Sequence, residues 1–179
     1  MVQSAVMSTL WTGNAKAVRL PRYRRAARPP AFSLVARDRE IVRWVYHCRY
    51  LTSEQILRLL FPRGARSNGL RRLQLLFHHC YLWRRARPVE TGSGMTIYCL
   101  DRRGRALIAS EQGLGPGQIR CERCGKTGTD PLFLEHTLAI NDFRLNLELA
   151  ARAQGHRISR WLDARTLQLP FRVNAEAES

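Results

Sequence analysis

The chain has 179 residues, with 30 lysines and arginines against 14 aspartates and glutamates, which gives a formal net charge of +16 at pH 7. Hydrophobic residues make up 45% of the sequence, enough for a buried core and too many for wholesale disorder. The positive charge predicts a polyanionic partner, nucleic acid before an anionic membrane. The sequence shows neither a membrane-spanning apolar run nor a signal peptide, so we expect a cytoplasmic protein with no membrane partner.

Residues 1–36 form the first predicted segment, a basic and flexible arm. They contain no acidic residue, and Pro21, Pro29 and Pro30 disfavour a helix near the end of the arm. One interpretation is that the arm lies along DNA phosphates or in a minor groove. The alternative is a solvated tail.

Two helices are predicted after the arm. Apolar residues at helical spacing predict the first over residues 38–49. Thr52, followed three residues later by Gln55, matches a capping box and predicts a second helix over residues 53–60. The Phe-Pro pair at residues 61–62 should end that helix.

The third helix carries the main predicted site. Its pattern covers residues 68–80, with Ser67 as the N-cap and an apolar stripe toward the core. Arginine and glutamine on the other side suit guanine and adenine edges in a major groove, whereas a solvated helix face is the alternative. The DNA contacts predicted at this helix are Arg66, Ser67, Asn68, Arg71, Arg72 and Gln74.

A β-hairpin is predicted next, over residues 81–100. Strand-forming residues flank the turn signal Thr-Gly-Ser-Gly at residues 91–94, and Asp101 is placed to cap a following helix. Three helices, a hairpin and a last helix make residues 37–112 resemble a winged helix-turn-helix domain. The wing residues predicted to contact phosphates are Arg84, Arg85 and Arg87.

A glycine-rich linker is predicted over residues 113–131, followed by a helix–strand unit over residues 132–179. The helix should span residues 133–154, with Gly155 just beyond its end, because glycine readily adopts the left-handed conformation that closes a helix. A strand is predicted over residues 156–162.

The predicted linker contains half of a zinc site. Cys121 and Cys124 have the Cys-x-x-Cys spacing of zinc ligands, and His136 is a candidate third ligand. A structural zinc site needs four ligands, and two ordinary loop thiols are the alternative. We therefore expect no metal and no cofactor.

Two stretches carry a more specific signal. The first runs from Leu-Thr-Ser-Glu-Gln-Ile at residues 51–56 through the arginine-rich third helix to Tyr-Cys-Leu-Asp-Arg-Arg-Gly at residues 98–104. The second is Phe-Leu-Glu-His-Thr-Leu-Ala-Ile-Asn-Asp-Phe-Arg at residues 133–144. Together they resemble the replication-relaxation family, bacterial proteins linked to plasmid replication and DNA relaxation. The resemblance extends over about residues 36–165.

The resemblance implies a winged helix followed by a second α/β unit. In longer members that unit resembles a nuclease-type fold, with acidic Pro-Asp and Glu-x-Asp segments after its strand. Residues 163–179 contain neither segment, so we expect residues 132–179 to be an incomplete unit of a C-terminally truncated member. The chain also contains no His-x-His or Glu-x-Lys, the patterns of nicking enzymes and nucleases, and we expect no enzymatic activity.

The sequence thus predicts an α+β, mainly α fold, in which a winged helix-turn-helix domain is followed by a linker and a small incomplete α/β unit. The predicted function is double-stranded DNA binding, accessory to plasmid or mobile-element replication and DNA relaxation. A winged-helix transcriptional regulator is one alternative. A nuclease or relaxase is a second, disfavoured by the missing motifs. Assembly into a homodimer is left open.

Overall fold

The computed structural model describes residues 20–87, 95–119 and 130–162. The fold is α+β and mainly helical, with a small antiparallel sheet. The elements in chain order are α1 (Ala36–Cys48), β1 (Leu51–Thr52), α2 (Ser53–Leu60), α3 (Arg66–His78), β2 (Leu82–Arg87), β3 (Met95–Leu100), α4 (Arg102–Gln112), a 3-10 turn (Pro116–Gln118) and α5 (Pro131–Ala153). No helix among the described residues is long and apolar enough to cross a membrane.

The second helix has the bounds that its capping box predicts. The Thr52 hydroxyl accepts the backbone N–H of Gln55 at 3.1 Å, and the Gln55 side-chain oxygen accepts the backbone N–H of Thr52 at 2.9 Å. Two N–H groups at the start of α2 are thereby satisfied. Ile56, Leu57 and Leu59 then turn inward and are buried.

The third helix begins earlier than predicted. It starts at Arg66, with Ala65 in the N-cap position and no side-chain cap, so the prediction of Ser67 as N-cap was wrong. The turn before α3 continues directly into the helix, because the Ala65 N–H donates to the Pro62 carbonyl at 3.1 Å and the Ala65 carbonyl accepts the N–H of Gly69 at 3.0 Å. Gly69 lies where α2 and α3 meet, and a Cβ there would stand 2.2 Å from a Leu57 methyl carbon.

The sheet has three antiparallel strands in the order β1-β3-β2. Leu51 of β1 pairs with Tyr98, and Leu82 of β2 pairs with Leu100. The two long strands confirm the predicted hairpin, whose turn at residues 88–94 lies outside the described residues. The short first strand was not predicted.

The larger of two hydrophobic clusters among the described residues joins nearly all of these elements. Ile41 and Val45 of α1 meet Leu73 of α3 and Ile108 of α4 in this core. Leu145 of α5 and Ile119 after the 3-10 turn belong to the same cluster. The start of the predicted linker and the predicted C-terminal helix therefore pack into the same core as α1–α4.

The last helix ends as predicted, but the predicted strand after it was wrong. Gly155 has a positive φ of 73°, and the N–H of His156 donates to the Ala151 carbonyl at 2.8 Å, which closes the helix. Residues 156–162 then have no regular secondary structure. A strand needs a neighbouring strand to satisfy its backbone, and none of the described strands pairs with this segment.

Candidate nucleic-acid interface

Residues 20–35 lie against α3 and β2, and we call them the docked segment. Arg25 donates through Nε to the Phe77 carbonyl at 3.0 Å, its guanidinium carbon lies 4.7 Å from the centre of the Trp83 ring, and it pairs with Asp101. The backbone N–H of Ala26 donates to Nδ1 of His78 at 3.0 Å. This part of the predicted arm is packed rather than free, while residues 1–19 lie outside the described residues.

Several cations of the docked segment remain exposed beside α3. Arg24 and Arg28 are exposed and have no carboxylate partner among the described residues. Arg22 is also exposed, and its guanidinium carbon lies 5.8 Å from the centre of the Tyr23 ring. The docked segment therefore adds positive charge to the surface next to α3.

The first half of α3 presents a polar face to solvent. Ser67, Asn68 and Arg71 are exposed, and Gln74 is half-buried. No described residue makes a hydrogen bond or an ion pair with Arg71. Leu70, which was expected in the buried stripe, is 39% exposed. The predicted contacts near the start of the helix thus share one accessible surface.

Arg66 also lies on the surface, in an exposed ion pair. Its guanidinium is 2.6 Å from a Glu54 carboxylate oxygen, and the two side chains are 60% and 55% exposed. Exposed pairs of this kind contribute little to stability. Arg66 could therefore leave Glu54 and pair with a phosphate group at little cost in stability.

Arg72 is turned inward, which differs from its expected place on the free face of α3. Its Nε donates to the Asp38 carboxylate at 2.9 Å, and its second nitrogen pairs with the other carboxylate oxygen. Asp38 is completely buried, and it also accepts the backbone N–H of Val35 at 2.9 Å. The Arg72 guanidinium donates further to the Ser33 carbonyl at 2.9 Å. Arg72 thus ties α3 to α1 and to the docked segment.

The hairpin arginines differ in position. Arg84 is only 9% exposed, with its guanidinium carbon 4.3 Å from the centre of the Phe77 ring and a hydrogen bond of 3.3 Å to the Pro21 carbonyl. Arg85, the next residue on β2, is half-buried. Arg87 ends β2, and its side chain lies outside the described residues.

His78 lies beneath the docked segment at the C-terminal end of α3. It is 3% exposed, and its Nδ1 accepts the Ala26 N–H. Burial lowers the pKa of His78, and the neighbouring charges of Arg84, Arg25 and His79 lower it further. The lowered pKa favours the neutral ring, in which Nδ1 can accept the Ala26 N–H.

Carboxylates of the described residues are largely held by arginines of the same chain. Besides Asp38 and Glu54, they include Asp101 with Arg25, Glu111 with Arg39 and Arg43, and Glu148 with Arg152. The hydrogen bond from Arg43 lowers the pKa of Glu111. The chain contains more than twice as many basic as acidic residues, so exposed arginines remain without a counter-charge.

A family model described as replication-relaxation matches residues 42–171, which is most of the chain. The chain belongs to the replication-relaxation family. This membership confirms the resemblance stated above and links the protein to replication-related processes. Comparison with curated proteins and with solved structures gives no match.

The most specific replication-relaxation motif of this chain, within residues 133–144, fastens α5 to α1 and α2. Asn141 is 5% exposed and donates to the carbonyls of Cys48 and Tyr50 at 2.9 and 2.8 Å. Gln55 donates to a carboxylate oxygen of Asp142 at 2.9 Å. Asn141 and Asp142 of the motif therefore have a structural role, whereas Glu135 and His136 of the same motif are exposed.

The candidate zinc ligands in the sequence are Cys121, Cys124 and His136. His136 is exposed on α5, and Cys121 and Cys124 lie outside the described residues. Within the described parts of this replication-relaxation protein, no group of three or more histidine, cysteine, aspartate or glutamate side chains is placed to hold a metal ion.

We expect the stability of this replication-relaxation protein to fall in mild acid because of His78. A histidine whose pKa is lowered by folding takes up its proton more readily in the unfolded chain. The contribution of neutral His78 to the free energy of unfolding is fully present above about pH 6.5, the usual histidine pKa. It is lost as the pH falls toward the lower pKa that His78 has in the folded protein. Protonation also removes the acceptor for Ala26. Thermal unfolding at pH 7.5 and 5.5 measures this change.

His78→Gln should make the unfolding midpoint less dependent on pH, because glutamine does not titrate. His156→Gln, at an exposed histidine after α5, is the matched control and should leave the dependence unchanged. Equal pH dependence in wild type and His78→Gln would assign the effect to other groups.

Proposed function

We propose that this protein is a winged-helix member of the replication-relaxation family that binds double-stranded DNA. The element order α1-β1-α2-α3-β2-β3, with the sheet order β1-β3-β2, supports the winged-helix assignment. In that arrangement α3 is the recognition helix and the β2–β3 hairpin is the wing.

The accessible face of α3 is the observation that carries the proposal. Arg71 is exposed beside Ser67 and Asn68, with no internal partner among the described residues. Arg24 and Arg28 of the docked segment extend the same positive surface. Arginine and asparagine can read guanine and adenine edges, while the surrounding cations attract phosphates.

The arginines predicted from sequence divide into two roles in this proposal. Arg66, Arg71 and Arg85 contact DNA, together with the exposed arginines of the docked segment. Arg72 and Arg84 act through other residues, because their guanidiniums are held inside the domain. They position α3 and β2 rather than touch the duplex.

Arg71→Ala tests the proposal. We expect it to weaken binding to a duplex by roughly 1–3 kcal/mol if the guanidinium contacts a base, without destabilising the fold. Fluorescence anisotropy with duplexes selected from a random pool, at one fixed salt concentration, measures the loss. Arg157→Ala removes the same charge from an exposed position beyond α5 and is the matched control. Equal affinities for the two variants would remove α3 from the interface.

We further propose that the protein serves plasmid or mobile-element replication and DNA relaxation in a bacterial cytoplasm without cleaving DNA itself. Family membership supports the link to replication. Incubating purified protein with supercoiled plasmid and Mg²⁺ or Mn²⁺ tests whether the protein cleaves DNA. Nicked or relaxed plasmid would show that the protein is an enzyme.

A further inference from the structure

The outer face of α5 carries an apolar stripe with the spacing of a coiled coil. The inner face is anchored in the domain through Leu134, Leu138, Asn141 and Leu145. The opposite face of α5 points away from that core. On this outer face, six positions separated alternately by three and four residues are all exposed. They are Phe133, His136, Ile140, Phe143, Leu147 and Ala150. A repeat of 3.5 residues is the pattern by which one helix packs along another.

The exposed apolar surface is concentrated at this helix. Leu132 is 73% exposed and Phe143 is 65% exposed, while Ile140 and Leu147 are each more than 40% exposed. These side chains and Phe133, which is 39% exposed, together leave on the order of 500 Å² of apolar surface in contact with water, a patch as large as those that usually mark binding sites. Twice that area reaches the lower range of specific protein interfaces.

We propose that this face of α5 packs against α5 of a second copy of the chain. A helical partner with a matching apolar stripe fits this spacing, and among the described helices α5 itself carries such an exposed stripe. Pairing two copies around an axis near Phe143 places each stripe against the other.

The charge distribution favours a second copy at this face. Positions flanking the stripe hold mainly alanine, threonine, leucine and asparagine, and their one formal charge is Arg144. Its guanidinium carbon lies 5.4 Å from the Trp44 ring centre and 5.1 Å from the Trp161 ring centre, which keeps the cation against its own chain. Two copies with a net charge of +16 each can therefore meet at this face without opposing rows of arginine.

This pairing leaves the proposed DNA surface accessible. The inner face of α5 packs on α2 and β1, whereas α3 packs on α2 and β2. A partner that covers the outer face of α5 therefore need not cover the accessible face of α3. The dimer is inferred independently of DNA binding, and its test uses no DNA.

Sedimentation velocity of the full chain, at several protein concentrations up to about 100 µM, tests the proposal. This concentration range is wide enough to detect dissociation constants in the micromolar range. We expect wild type to sediment as a dimer. Phe143→Glu should raise the dimer dissociation constant roughly 30-fold or more, since a charge would face the apolar centre of the interface. Leu147→Glu, one helical turn away, should act in the same direction. Circular dichroism shows whether each variant keeps its helices.

Leu114→Glu is the matched control, because Leu114 is 41% exposed but follows α4. It should sediment like wild type. A monomeric wild type over the whole concentration range would overturn the proposal and indicate that residues of the same chain or another protein cover α5. Dimers of unchanged affinity in both folded α5 variants would also overturn it.

Discussion

Arg72→Ala is expected to lower the free energy of unfolding by about 3–5 kcal/mol, the usual cost of removing one partner of a buried ion pair. Asp38 is completely buried, and the Arg72 side chain is 22% exposed. The alanine variant leaves the Asp38 carboxylate buried without its cation. It also removes the hydrogen bond to the Ser33 carbonyl and the contact with the Phe32 ring. Urea unfolding followed by circular dichroism measures the loss.

The adjacent Arg71 provides a matched control for this experiment. Arg71→Ala removes the same side chain from the same helix, but from an exposed position, so its effect on stability should stay within about 0.5 kcal/mol. The two variants should therefore separate folding from DNA binding. If Arg72→Ala proved as stable as Arg71→Ala, the ion pair with Asp38 would not stabilise the fold.

Asn141→Leu is expected to destabilise the protein by about 2 kcal/mol, because two buried hydrogen bonds to backbone carbonyls are lost while the number and branching of the side-chain heavy atoms are kept. Asn141 donates to the carbonyls of Cys48 and Tyr50, where α1 ends and β1 is about to begin. Without these two hydrogen bonds, α5 is less firmly attached to the domain and the C-terminal end of α1 is less stable. Hydrogen exchange at the C-terminal end of α1 should increase together with the fall in the unfolding midpoint.

Asn146→Ala on the same helix is the control for Asn141. Asn146 is exposed and accepts a hydrogen bond of 2.6 Å from Arg58 at the surface, so its loss should cost about 0.5 kcal/mol or less. Equal stability of the Asn141 and Asn146 variants would contradict the anchoring role of the motif.

Features set by neighbouring residues could be predicted from the sequence. The bounds of α2 follow from Thr52 and Gln55, which lie three residues apart and satisfy each other's backbone N–H groups. Gly155 after α5 and Asp101 before α4 are likewise local signals, and both act as predicted. Ser67 failed as a cap because the turn before it already leads into the helix.

Features set by distant residues could not be predicted. Arg72 has the spacing of a free-face residue, yet its partner Asp38 lies 34 residues earlier in the chain. Arg84 is similar, since the Pro21 carbonyl that accepts its hydrogen bond lies 63 residues away in the arm that was predicted to be flexible. The two-residue strand β1 exists through its pairing with Tyr98 and Ile97, which no local pattern reveals. The sequence therefore identified the helix that carries the candidate surface. It did not reveal which arginines of that surface face the solvent.

The long sequence separation between Asn141 and the two carbonyls that it binds has a consequence during synthesis. These groups are 91 and 93 residues apart. A ribosome therefore synthesises α1, α2 and α3 well before it makes the side chain that closes the end of α1. Leu145, which fills the same core, arrives later still. The growing chain must hold an unfinished interior in water until α5 emerges, an interval in which a chaperone would find exposed apolar surface.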